Sequence, residues 1–378
     1  MKKSKLRLVP MFIFLIFVFS LTILFFVMPK KESSSSEKRY LQQAPAFSFE
    51  DLFSGKFGED FETFLSDQFS FRNFWVGFSS YYNLAIGNNG STGIYFGKND
   101  YLLNDPCGDG RLTTNTEVIE EFAAKHPDIP TTVLIAPSTG YVCPDVLPAV
   151  HKEYKDDEYF EMFTEKLTSV DFVDVRETFK NEYNSGDQIY YKTDHHWTSY
   201  GAYTAYQELA PAMGFSANGE DAYEKTAYPD FYGTTYSSSS FWLNPPDEIE
   251  VWENHAHDGA VKVTITEGAN VTENDDLFFY DHLEEDDKYP VFLDGNHAHE
   301  TIENQNATSD EKLLVIKDSF AHSLVPFLSD HYASITMLDM RYYKQNVSQL
   351  VEQEGFDRVL FIYSVDNLSS DTDLVWLE

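Results

Sequence analysis

The sequence predicts an α/β fold with a largely parallel sheet, and three observations carry that prediction. Strand-length segments at residues 131–136, 312–316 and 358–363 each hold an unbroken apolar run, 133–136, 313–316 and 359–363, the pattern of strands buried on both faces. Segments of helical periodicity alternate with these runs. The chain is 42% apolar and holds 32 Phe, 24 Tyr and 5 Trp among 378 residues, so it can fill a large core despite its charge. That charge is 27 − 62 = −35, and it is uneven: residues 1–39 sum to +6 and the rest to −41. A body this acidic repels nucleic acid and anionic headgroups.

The elements follow in order. Four basic side chains in residues 1–7 precede an uncharged stretch, 8–29. At about 1.5 Å per residue that stretch is long enough to cross a bilayer core of about 30 Å. It reads as an uncleaved signal anchor with a cytoplasmic basic tail, because the apolar part of a cleaved signal is shorter. Residues 30–46 are polar and serine-rich and read as a tether, which leaves 47–378 as an extracellular domain. Residues 47–85 read as helices. A hairpin is expected around Gly97-Lys98-Asn99-Asp100. Helix 116–125, strand 131–136, helix 157–168 and strand 171–175 begin the alternation, and 202–210 is helical. Residues 215–300 are polar and read as an insertion with loops and hairpins, including an alternating strand at 261–266. Strand 312–316, helix 322–328, strand 333–338, helix 346–353 and strand 358–363 complete the sheet. The phosphate-binding patterns GxGxxG and GxxxxGK[ST] are absent, so a nucleotide site has no support. Cys107 and Cys143 are the only cysteines. Outside the cell they are expected to pair, two lone thiols being the alternative.

Chemistry can sit in three places. Asp194-His195-His196-Trp197 falls at a loop-to-helix junction, where a carboxylate can orient a general base, although Asp194 or Ser199 could simply cap the helix. Lys317-Asp318-Ser319 follows strand 312–316, at the edge where α/β sheets bind ligands. Ser319 could attack an acyl carbon if an imidazole reached it, and it could equally be a helix cap. Gly295-Asn296 reads as a tight turn or a donor pair, with His297 and His299 close by. A metal site built from these histidines and from His195 and His196 lacks diagnostic spacing, so no metal or other cofactor is expected.

Together these pieces resemble the DHHW family and the AlgX/AlgJ-like proteins with an SGNH-hydrolase fold. The namesake motif stands whole at residues 194–197, and 64–75, 93–103, 136–148, 317–320 and 338–343 resemble further family blocks in the same order. The resemblance implies a three-layer α/β/α domain in which Ser319 is the nucleophile, His196 the base and Asp194 its orienting carboxylate. Trp197 would pack beneath the imidazole or fix its loop. His195, Asp318, Gly295, Asn296, Arg341 and Tyr342 are supporting or substrate-binding candidates. Lys317 stands where many SGNH-type enzymes have Gly. The implied activity is O-acetylation of a surface or secreted polysaccharide, the acetyl group being relayed by a multi-pass membrane acyltransferase. An O-acetyl esterase would use the same residues. A non-catalytic glycan-binding protein is the other alternative, resting on sugar stacking by Tyr223, Tyr228, Tyr232, Tyr236 and Trp242.

Overall fold

The computed structural model describes residues 8–34, 39–257 and 259–377. The expected basic tail, residues 1–7, and residues 35–38 of the expected tether lie outside the described residues. The chain forms two compact units: residues up to Asn88 together with Ser237–Trp242, and Asn89–Tyr236 together with Leu243–Glu378.

In the first unit the apolar stretch is a helix, Val9–Val27, with none of its residues buried. Its length and hydropathy suit a single membrane-spanning segment. Three further helices follow at Phe49–Ser54, Lys56–Asp67 and Arg72–Ala85. Ser48 caps the first of them by accepting from the Asp51 amide. Segment Ser237–Trp242 covers one face of the last: Ser80 Oγ donates to the Ser239 carbonyl at 2.9 Å, and a Cβ on Gly77 would meet the Trp242 indole at 2.5 Å.

The second unit is built on an eight-stranded sheet. Its strands are β1 Thr131–Ala136, β2 Asp171–Val173, β3 Val261–Glu267, β4 Asn270–Asn274, β5 His299–Asn304, β6 Lys312–Lys317, β7 Ser334–Asp339 and β8 Arg358–Ser364. Their spatial order is β4-β3-β5-β7-β6-β8-β1-β2. The five strands from β7 to β2 are parallel. Strands β3 and β4, from the expected insertion, and β5, which begins at its end, extend that sheet as antiparallel strands along the β7 edge.

Side-chain alternation along the parallel strands splits the interior into two cores. Leu134, Leu313, Val315, Leu360 and Ile362 face one core, which holds helices Arg176–Ser185, Ser199–Met213 and Ala321–Leu328. Val133, Ile135, Leu314, Ile316 and Phe361 face the other, with helices Leu112–Lys125, Asp156–Lys166 and Val347–Glu354. A sheet packed on both faces explains why its central strands read as unbroken apolar runs. The expected hairpin pairs Ile94–Phe96 with Leu102–Asn104. Asn99 and Asp100 supply the two left-handed turn residues, at φ 56° and 67°, a conformation asparagine and aspartate tolerate better than most side chains.

The expected disulfide is corrected. Cys107 and Cys143 are free thiols, because Cys143 lies in the core on one face of the sheet and Cys107 packs against the core on the other. Burial pushes the Cys107 thiol up to about 12. Of the five aromatic residues offered for sugar stacking in the alternative reading, one is withdrawn into the core. Tyr223 is a core residue whose hydroxyl donates to Asp330 at 2.8 Å, and the Trp242 indole donates to the Asn73 carbonyl.

Candidate active site

Strand β6 ends at Lys317, and Ser319 lies two residues further on, ahead of helix Ala321–Leu328. Asp318 shapes this turn. Its Oδ1 accepts from the Phe320 amide at 2.9 Å. Its Oδ2 accepts from the Ser364 amide and hydroxyl at 2.8 and 2.9 Å and from Asn367 Nδ2 at 2.8 Å. With both oxygens occupied inside the fold, Asp318 fastens the serine turn to the end of the neighbouring strand β8.

The histidine comes from the loop before helix Ser199–Met213. Thr198 caps that helix, its hydroxyl accepting from the Gly201 amide at 3.1 Å. Asp194 and Ser199, the expected alternative caps, are not needed there. Asp194 Oδ1 accepts from the His196 amide at 2.9 Å and lies 2.5 Å from His196 Nδ1. An aspartate readily accepts from the backbone amide two residues on, so the Asp-x-His spacing carries the ring to the carboxylate. Across the ring, His196 Nε2 lies 2.7 Å from Ser319 Oγ. The serine, histidine and aspartate are all buried.

Two residues complete the arrangement that no sequence pattern announced. Thr234 donates from its amide and hydroxyl to Asp194 Oδ2, at 2.6 and 2.9 Å, which fills the carboxylate. A Cβ on the preceding Gly233 would stand 2.2 Å from the Asp194 Cβ, so only glycine allows that approach. Tyr289 stacks flat on the His196 ring, 3.8 Å between centroids and 5° between planes, and its hydroxyl donates to the Ser319 carbonyl at 3.0 Å. Both come from the stretch read as an insertion, where neither Gly233-Thr234 nor Tyr289-Pro290 forms a recognisable motif.

Trp197 is corrected in part. The imidazole rests on Tyr289, whereas Trp197 packs edge-on to Phe320 and donates from its indole to Ser323 Oγ at 2.9 Å. It ties the histidine loop to the helix that follows the serine. His195 points elsewhere, with Nδ1 on the Thr234 hydroxyl. A narrow cleft lined by Ser138, Tyr154, His195, Phe320, Ser364 and Asp366 opens beside the histidine pair.

The other candidates gather in a separate cluster. Arg341 bonds Asp339 through Nε at 2.9 Å and reaches Asn296 Oδ1 through Nη2 at 2.9 Å. Gly295 occupies the adjacent turn at φ 85°, and Tyr342 is exposed. Among the described residues no hydrogen bond links Gly295, Asn296, Arg341 or Tyr342 to Ser319, His196 or Asp194. Among the same residues, the set of donors close enough to surround a metal ion is Asp194, His195 and His196, within 4.8 Å of one another. Their ligating atoms already hold the hydrogen bonds described above.

Lys317, noted above as a departure from the SGNH-type pattern, heads a buried charged group beneath the serine turn. Its Nζ lies 2.5 Å from His322 Nε2, 3.8 Å from Glu300 and 3.7 Å from Asp339. Burial, reinforced by Lys317, holds the His322 imidazole well below its usual range and therefore neutral. Burial pushes the Glu300 carboxyl up to about 7, against the opposing pull of Lys317. A carboxyl raised on folding keeps its proton in the native state while the unfolded chain has lost it, so stability falls as pH rises from about 4.5 to 7. Glu300→Gln is expected to stabilise the protein at pH 8 by up to about 3 kcal/mol and to lose that advantage by pH 5. Urea unfolding of both chains at the two pH values checks it.

A layered α/β domain that brings a serine, a histidine and an aspartate together at the carboxyl edge of its parallel strands has an SGNH-hydrolase-like fold. Residues 158–338 match the family described as DHHW protein. A DHHW family protein from Eubacterium siraeum has a similar solved structure, 20% identical, with a TM-score of 0.62 over 75% of this chain and 94% of that one. Bacillus cereus PatB1, solved with a sulfonyl adduct, is 24% identical, with a TM-score of 0.62 over 72% of this chain and 97% of its own. No curated protein matches the chain.

Proposed function

We propose that this protein is a membrane-anchored O-acetyltransferase that modifies a cell-envelope polysaccharide outside the cell through an acetyl-Ser319 intermediate. The observation that supports the reading most is the continuous relay: Asp194 to His196 Nδ1 at 2.5 Å, and His196 Nε2 to Ser319 Oγ at 2.7 Å. In the first half-reaction His196 Nε2 takes the Ser319 proton while Oγ bonds to the acetyl carbon. The donor's leaving group then departs with that proton. In the second, a glycan hydroxyl gives its proton to Nε2 and attacks the acetyl carbon, and Ser319 leaves reprotonated. Asp194 holds the tautomer with Nδ1–H and stabilises the ring while it is charged.

The anchor Val9–Val27, with basic residues before it, fits a domain on the outer face. On that side the acceptor glycan is at hand, and the acetyl group would arrive from a multi-pass membrane acyltransferase. The acidic body suits a neutral polymer better than a polyanion.

The test is intact mass spectrometry of the full chain with an activated acetyl ester, then with candidate glycans. One acetyl group mapped to Ser319 and passed to a glycan supports the proposal. Acetate release that no glycan diverts makes the protein an esterase. Absence of both adduct and turnover removes the enzymatic reading. Sulfonyl fluorides, which would leave a sulfonyl group of the kind solved on Bacillus cereus PatB1, give an independent probe of Ser319.

A further inference from the structure

Helix Arg72–Ala85 has one covered face and one bare one. The covered face carries Gly77 and Ser80, packed on Ser237–Trp242. The bare face carries Phe71, Phe74, Phe78 and Tyr82, each more than half exposed, at the three- and four-residue steps that align side chains along a helix. Phe74 stacks on Phe78 and Phe78 on Tyr82, at 6.2 and 6.4 Å between centroids. Water-facing surfaces rarely carry a continuous aromatic strip of this kind.

Two further observations say what covers it. In a chain that is 24% charged, residues 68–88 hold a single charged side chain, Arg72, and that one faces the buried Asp67 carboxylate at 3.8 Å. The helix that carries the strip also lies alongside the membrane-spanning helix. Trp75 meets Phe17 edge-on at 5.8 Å, and Phe64 of the preceding helix meets Phe25 at 5.7 Å. Phe17 sits in the middle of Val9–Val27, about 12 Å deeper than Phe25 at 1.5 Å per residue. A side chain that touches the middle of a membrane-crossing helix is itself at hydrocarbon depth.

We propose that helix Arg72–Ala85 is embedded in the leaflet at the Val27 end of the anchor, its aromatic face on lipid acyl chains. Helix Lys56–Asp67 lies beside it with Glu59 and Glu62 towards water. The occupant of the bare face is lipid, whose chains match an uncharged aromatic surface with a single hydroxyl, that of Tyr82 at its end. Glu59 and Glu62 are exposed, as a helix half in the interface requires.

The test uses the full chain in phosphatidylcholine–phosphatidylglycerol vesicles. A bimane fluorophore is attached at Phe78→Cys, at Tyr82→Cys and, for comparison, at Glu62→Cys, with the unsubstituted chain giving the background from Cys107 and Cys143. The expected result is blue-shifted emission at 78 and 82, quenched by nitroxide-labelled lipids and unresponsive to iodide, with the reverse at 62. Iodide quenching at 78 and 82 equal to that at 62 overturns the proposal. Shielding that appears only in native membranes and is lost in pure lipid would make the occupant a protein and overturns it as well. Two labelled positions guard against one disturbing the helix, and the result is independent of whether Ser319 is catalytic.

Discussion

Ser319→Ala is expected to leave a folded chain that forms no acetyl or sulfonyl adduct and has lost about 10⁵-fold of its turnover. The size follows from what the hydroxyl does: it supplies the atom that bonds the acyl carbon and the proton that His196 Nε2 collects in the first half-reaction. The variant removes one buried oxygen whose partner is His196, so the fold should survive, and the melting temperature is the control. His196→Ala should cost a similar factor, and the double variant should cost little more than either, because residues acting as one relay are not additive. Stepwise adduct counting on the three chains checks this. Losses that multiply would mean that the two side chains act separately.

Asp194→Asn should cost about 10⁴-fold in turnover. All of the acceptor capacity of Asp194 is in use: Oδ1 takes the His196 amide and ring nitrogen, and Oδ2 takes the Thr234 amide and hydroxyl. No orientation of an asparagine amide satisfies both sides, since its NH₂ meets a backbone N–H whichever way it turns. If the NH₂ faces the ring, it forces the proton onto Nε2, where the imidazole can no longer accept from Ser319. The measurement is turnover across pH beside the melting temperature. A variant that melts like the parent and stays inactive at every pH has lost the tautomer. One whose activity returns in proportion to folded protein has lost only structure.

The sheet was legible because its central strands are buried on both faces. Residues 131–136, 312–316 and 358–363 have no polar side to blur the pattern, and each is a strand of the parallel set. Asp194, His196 and Ser319 were legible through a resemblance, and through a short-range rule that links an aspartate to the amide two residues on. Thr234 and Tyr289 were not, because what defines them is proximity created by folding: Thr234 lies 40 residues from Asp194 in sequence. The cysteines misled for the same reason. A compartment argument says that two thiols can pair, but only the fold says that a sheet stands between them. The pairing of Asn296 with Arg341, which donates to its carbonyl oxygen from 45 residues away, was hidden for the same reason.

The amides, hydroxyl and carboxamide that Asp318 binds all belong to its own turn and to β8 with the helix after it. Ser319 and His196 are 123 residues apart, and each is moored by a buried carboxylate to a different part of the domain interior. Neither mooring can slip by itself, so the reacting atoms have no loose loop that melts ahead of the rest. On warming, hydrolytic turnover should hold until the domain unfolds as a whole and then vanish with it, making activity a thermometer for the entire α/β body.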